Sequence, residues 1–308
     1  MSQTVFIDGA AGTTGLEILD RLAGRAEFNL LLLDDEQRKS ASARRDAYHA
    51  ADFAVLCLPD DAAREAVALA EGSPMRIIDA SSAHRVTEGW TYGFAEVVGR
   101  DAVANAARVT NPGCYPSGFI ALIAPLVRAG LLPADWPYTV NAVSGYSGGG
   151  KALIARFEHE DDLAFRAYGL GLGHKHVGEM QKLAGLAHAP LFAPAVIAAH
   201  RGMVVEVPLP LAAMPKAAAP AALLAALDDF YSDSPVVTVH HDCPDEILLR
   251  QSMAPSDRLD LYVCGAQDGS QARLIAVLDN LGKGASGAAV QNLNLMAGLP
   301  ETAGLNLG

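Results

Sequence analysis

Cys114 lies in the segment Asn111-Pro-Gly-Cys-Tyr-Pro-Ser117, between a short apolar run (107–112) and a stretch with helical spacing. A cysteine on a strand-to-helix turn sits at a helix N-terminus, where backbone N–H groups and the helix dipole favour the thiolate. That position suits a nucleophile near neutral pH. Gly113 allows an unusual backbone angle at the turn, and Pro116 suits the first helical turn. Cys57 in FAVLCLP and Cys264 in LYVCGA read instead as core strand residues, and Cys243 carries no assignment. The four cysteines are too scattered to predict a disulfide framework. A cysteine nucleophile needs a partner that moves a proton. Gly173-His174-Lys-His176-Val-Gly-Glu179, entering a helix after the glycine-rich YGLGLG, is the best source of one. In an extended segment the two rings point to opposite sides, so only one of His174 and His176 would reach Cys114. Glu179 is spaced to orient the His176 ring across one helical turn.

A second constellation is Gly9-Ala-Ala-Gly12-Thr-Thr-Gly15, directly after an apolar run and opening a helical stretch. Glycines there let the backbone turn sharply and approach a pyrophosphate, whose charge rests at the helix N-terminus. Asp34 and Asp35 stand where an acid would hold a ribose 2′-hydroxyl and favour NAD; Arg38, Lys39, Arg44 and Arg45 stand where a base would hold the 2′-phosphate of NADP. These residues leave the choice open. Two loops suit anions: Asp79-Ala-Ser-Ser-Ala-His-Arg85, and Ser144-Gly145-Tyr-Ser-Gly-Gly-Gly-Lys151, whose backbone fits a phosphate or carboxylate. A late glycine-rich loop runs from Asp279 to Asn292 and opens another helix. The His240-His241-Asp-Cys243 spot and the His174 segment both lack zinc-site spacing, so no metal site is expected. Together these groups point to a thiolate that attacks an activated acyl group or an aldehyde. The resulting adduct exchanges a hydride with a nicotinamide while a histidine moves a proton at the oxygen. The anion loops suggest that phosphate is the leaving or attacking group.

The elements that must hold these residues change character along the chain. Apolar runs at 4–10, 28–34, 53–59, 75–80 and 107–112 alternate with the helical stretches 36–48 and 61–71. Strands apolar on both faces and separated by helices predict a Rossmann-type, doubly wound parallel sheet. After a helix over 116–129, longer alternating strands follow at 138–147, 195–211, 235–241, 258–267 and 271–279, with an Asp268-Gly269 hairpin signal between the last two. They predict a second, α+β catalytic domain with a mixed or antiparallel sheet. The last helix, 285–298, fits either domain. At 308 residues the chain is long enough for two domains. Its 23 Lys and Arg against 35 Asp and Glu give a net charge of −12, which argues against nucleic acid. No apolar stretch predicts a membrane span, the N-terminus MSQTVFIDGA predicts no signal peptide, and a cytoplasmic protein is expected.

The set GAAGTTG, DASSAHR, YGFAEV, NPGCYPS, SGYSGGGK, HKHVGE and DNLGKGASGAAVQN resembles the N-acetyl-gamma-glutamyl-phosphate reductases in their shorter form, which are similar in fold to aspartate-semialdehyde dehydrogenase. The resemblance runs from Gly9 to Asn292. It implies NADPH-dependent reduction of N-acetyl-L-glutamyl 5-phosphate to the 5-semialdehyde and phosphate, in arginine biosynthesis, through a Cys114 thioester. It implies an acid/base among His174 and His176 with Glu179, and an Arg85 contact to the substrate phosphate. Gly9, Gly12, Thr13 and Gly15 would form the NADP loop, and Asn280, Lys283, Gly284 and Ser286 the late loop over the cofactor. It further implies that the last helix rejoins the cofactor domain. The domains expected are therefore 1–113 with 285–308, and 114–284, in a homodimer or homotetramer acting on a small molecule. Lys175 and Gly178 depart from the family's HRHxPE pattern. The alternatives are an aspartate-semialdehyde dehydrogenase-like enzyme acting on another acyl phosphate, and a non-catalytic NADP-binding redox sensor.

Overall fold

Strand β1 (Gln3–Asp8) shows why the first runs are apolar throughout: Val5 and Ile7 enter one hydrophobic core and Phe6 enters another, on the opposite face. The computed structural model describes residues 2–308, which group into two units. Unit 1 comprises the chain up to Pro112 together with Ala285–Leu305. Its elements after β1 are α1 (Thr13–Leu22), β2 (Phe28–Leu31), α2 (Ala41–Ala50), β3 (Phe53–Leu56), α3 (Asp60–Leu69), β4 (Arg76–Asp79), β5 (Thr91–Tyr92), α4 (Ala95–Val98), α5 (Arg100–Ala104) and β6 (Arg108–Thr110). The sheet is parallel, ordered β2-β1-β3-β4-β6-β5. Phe53 and Val55 of β3 join Ile18 and Leu22 of α1 on one face; Ala54 and Leu56 join Tyr48 of α2 and Ala66 of α3 on the other. Alternate side chains buried on both faces are the signature of a doubly wound sheet. Strand order reverses between β1 and β3, so a crevice opens at their C-terminal ends.

Unit 2 comprises Gly113–Gly284 and Asn306–Gly308. It contains α6 (Cys114–Arg128), β7 (Thr139–Gly145), α7 (Gly150–His159), β8 (Phe165–Ala167), α8 (Val177–Leu183), β9 (Leu191–Ile197), β10 (Met203–Leu209), α9 (Pro220–Tyr231), β11 (Val237–His240), β12 (Leu259–Gly265) and β13 (Ala272–Leu278). The sheet order is β11-β12-β13-β10-β7-β9-β8, with β7–β9 and β11–β12 parallel and the other pairs antiparallel. Helix α6 is buried from Tyr115 to Leu126. A Cβ on Gly118 would come 2.8 Å from Val205 and 3.2 Å from Ala276, so glycine brings α6 close to one face of β10 and β13. The single strand predicted over 195–211 is two strands, because the chain reverses through Gly202, whose φ is +108°.

Two other expectations are corrected. Cys264 is not a core residue: it is partly exposed on β12 and forms a disulfide with Cys243, with a Cα–Cα distance of 5.4 Å. Parallel pairing of β11 with β12 sets His240 beside Tyr262, and the chain leaving β11 therefore runs alongside Cys264. Helix α10 (Gly287–Met296) belongs to unit 1, where Ala289, Val290, Leu293 and Met296 enter the core with Val5 and Ile7. Residues 306–308, expected with that helix, group with unit 2, since Asp257 accepts the Asn306 N–H at 2.7 Å and Arg258 donates to the Leu307 carbonyl. No helix among the described residues is long and apolar enough to cross a membrane.

Candidate active site

In unit 2, Cys114 is the first residue of α6, capped by Gly113. Gly113 has φ −70° and ψ 149°, ordinary extended backbone, so the turn does not use the freedom that glycine allows there. The glycine's N–H donates to Glu179 Oε2 at 3.2 Å, which fastens the Cys114 turn to α8. Glu179 is 1% exposed, so a carboxylate reaches a buried backbone donor. His174 and His176 do not point apart. Val177 N–H bonds the His174 carbonyl at 3.1 Å, which turns the segment. Their rings lie 4.6 Å apart, and the Tyr115 ring lies 6.3 Å from His174 and 5.9 Å from His176. Both histidines thus flank the residue next to Cys114.

Tyr168, which the sequence did not single out, donates to the Tyr115 hydroxyl at 3.3 Å, and Tyr115 donates to the Ala195 carbonyl. Burial pushes both phenols up, and the nearby Cys114 charge adds to it in each. They remain protonated donors beside the thiol. The late loop closes the other side. Gly284 N–H bonds the Asp279 carbonyl, and a Cβ at Gly284 would come 2.9 Å from Cys114 Cβ. Asp279, fully buried, accepts from Arg201 Nη1 at 2.9 Å and from the N–H groups of Ser256 and Leu281. Arg201 also escaped the sequence reading; its signal was a lone cation inside an apolar run. Asn280 accepts from Gly202 N–H and donates to Ser147 Oγ, both at 2.9 Å. Lys283 is buried. Ser144 is buried and bonds the Gly145 carbonyl at 3.0 Å, whereas Lys151 is exposed near the start of α7. His240 and His241 pair with Asp260 and Asp228, and among the described residues no group of three ligand side chains is arranged for a metal.

Unit 1 carries the glycine loop at the sheet's switch point. Gly9 has φ +88°, and a Cβ there would overlap the Cys57 carbonyl; one on Gly15 would come 2.5 Å from the Gly9 oxygen. Gly12 caps α1, Thr13 is its first residue, and the Gly12 N–H bonds the Gly9 carbonyl. This tight backbone cradle before a helix N-terminus fits the pyrophosphate of a dinucleotide. Beneath it, buried Asp8 binds Arg44 at 3.0 Å and accepts from the Tyr48 hydroxyl. Asp79, at the end of β4, accepts from Ser81 Oγ at 2.9 Å and contacts His84 Nδ1 at 2.6 Å. Next to His84, Arg85 donates from Nε to the Asn111 carbonyl at 3.1 Å. The Asn111 side chain in turn donates to the Ala285 carbonyl and accepts from Asn292, while Ser286 is fully buried.

Comparison with known proteins agrees with this two-unit arrangement. Residues 4–106 match the family model described as the NAD binding domain of semialdehyde dehydrogenase, and residues 114–280 match its dimerisation domain. A Nostoc protein named N-acetyl-gamma-glutamyl-phosphate reductase 2 is 46% identical over 318 residues, covering 98% of each chain. A Brucella ovis protein named N-acetyl-gamma-glutamyl-phosphate reductase is 49% identical over 309 residues, covering 97% of this chain and 100% of that one. Among solved structures, aspartate semialdehyde dehydrogenase II from Vibrio cholerae superposes with a TM-score of 0.71 at 17% identity, over 96% of this chain and 98% of that one. At that identity the likeness speaks for the fold, a parallel Rossmann-like sheet with a second, mixed sheet.

Proposed function

The chain belongs to the N-acetyl-gamma-glutamyl-phosphate reductase family, and we propose that it reduces N-acetyl-L-glutamyl 5-phosphate to N-acetyl-L-glutamate 5-semialdehyde and phosphate, an arginine-biosynthetic step. The observation that carries this is Cys114 at the N-terminus of α6, with His174 and His176 gathered around Tyr115 and Glu179 on the Gly113 N–H. The Cys114 thiolate attacks the acyl carbon, and the tetrahedral adduct collapses as the C–O bond to phosphate breaks, leaving a thioester. Gly9, Gly12, Thr13 and Gly15, with Asn280, Lys283, Gly284 and Ser286, would hold NADPH, which when bound would supply a hydride for the thioester carbonyl carbon. One histidine of the pair delivers a proton to the developing oxyanion and takes it back as the thiohemiacetal releases aldehyde and regenerates the thiolate. Arg85, Ser144, Gly145 and Lys151 meet the anionic groups of the substrate.

A homodimer or homotetramer is part of this proposal. Val143, Val204 and Val277 are paired neighbours across β7, β10 and β13, on the face away from α6. An apolar row on the open side of a sheet suits a second copy of the chain. The thioester itself is the direct test. With acyl phosphate and no nicotinamide, mass spectrometry should find an N-acetylglutamyl adduct on the Cys114 peptide, absent from Cys114→Ser, whose turnover falls by about 10³-fold or more. A Cys114→Ser protein with full activity would end the proposal.

A further inference from the structure

A cavity of about 130 Å³ opens where β1 ends, lined by Asp8, the Gly9–Ala11 backbone, Leu33, Arg38 and Leu58 among others. The four basic residues that follow β2 all have the charge to hold an adenosine 2′-phosphate, but the structure separates them. Arg44 is buried and committed to Asp8 and Glu65. Lys39 and Arg45 are exposed and do not line the cavity. Arg38 lines it, and pairs at 3.1 Å with the exposed carboxylate of Asp35. The acids that would select NAD are not in place. Asp34 accepts the N–H groups of Glu36 and Gln37 at 2.9 and 2.8 Å, which spends it on the local turn. Leu33, not Asp34 or Asp35, faces the cavity. Asp8 does line it, but is neutralised by Arg44.

We infer that Arg38 takes the 2′-phosphate of NADP, and that Asp35 is the counter-ion it exchanges for that phosphate on binding. The inference rests on the proposed dinucleotide site. An exposed carboxylate–guanidinium pair is weak, and a phosphate offers Arg38 more charge and a bidentate acceptor. Asp35 is therefore a competitor for Arg38 in the free protein. Choice of NADP over NAD would then reside in one exposed side chain on the short 3-10 turn Gln37–Lys39.

Calorimetry on the full chain with NADP, NAD and 2′,5′-ADP tests this without turnover. Arg38→Gln should weaken NADP and 2′,5′-ADP by about 10- to 100-fold and leave NAD unchanged. Asp35→Asn should tighten NADP by about 2- to 5-fold. An Arg38→Gln protein that binds NADP as wild type does, or loses NADP and NAD alike, would overturn the role of Arg38. Unchanged NADP affinity in Asp35→Asn would overturn the exchange. Wild-type protein that bound neither dinucleotide would instead overturn the proposed function, and this inference with it.

Discussion

At the scale of single residues, the two free thiols show how position decides chemistry. Cys114 opens a helix; Cys57 follows β3 beneath the glycine loop, where burial, then Asp79 and Asp8, pushes its thiol up to about 12. Iodoacetamide at pH 8 should therefore label Cys114 and spare Cys57, a difference that peptide mapping reads directly. Because the Cys57 value lies above the unfolded one of about 8.5, its contribution to stability is fully present below that pH and is lost as pH climbs toward 12. By pH 10 the loss is about 2 kcal/mol, and denaturant titrations of Cys57→Ala should show a shallower alkaline decline. Equal labelling of both thiols would contradict the distinction. The place of Cys114 at the start of a helix was legible in the sequence because a strand, a turn and a helix converge on NPGCYPS. Tyr168 was not, since only the folded chain brings its hydroxyl to Tyr115. The histidines were half legible: their types suggested a proton carrier, but spacing in an extended chain gave the wrong directions for a segment that turns.

Among the elements, parallel β-strands of unit 1 were readable because Val5–Asp8 of β1 and all four residues of β3 are buried, whichever face they point to. Pairing in unit 2 was not. Local alternation defines a strand's faces but not its neighbour, so the parallel β7–β9 and β11–β12 pairs surface only in three dimensions. The same gap hid the Cys243–Cys264 disulfide, whose 21-residue separation says nothing until β11 lies against β12. Closing a loop of that length should stabilise unit 2 by about 3 kcal/mol. Reduction should raise the thiol count of the denatured protein from two to four and lower the melting temperature by several degrees. An unchanged melting temperature under reductant would contradict this account of the β11–β12 edge.

For the molecule as a whole, a net charge of −12 opposes every phosphate-bearing ligand the proposed reaction uses. In the proposed site, binding comes from local donors: glycine N–H groups, Arg38, Arg85, and the lysines at 151 and 283. Composition argued against nucleic acid as a partner, but it could not show these small concentrations of positive charge. Assembly belongs to this scale too. Val204→Lys places a charge in the middle of the valine row on the open face of the unit 2 sheet. Light scattering should show it shift to a smaller species than wild type while the circular dichroism spectrum is kept. Equal masses would remove that face as the interface. The central claim, a thiolate reductase selective for the N-acetylglutamyl chain, is tested most directly by running the reaction backwards. Protein, phosphate and NADP are mixed with N-acetyl-glutamate semialdehyde or with aspartate semialdehyde, and absorbance is followed at the NADPH band. The account predicts phosphate-dependent reduction of NADP with the acetylated substrate. Turnover of aspartate semialdehyde alone would contradict it.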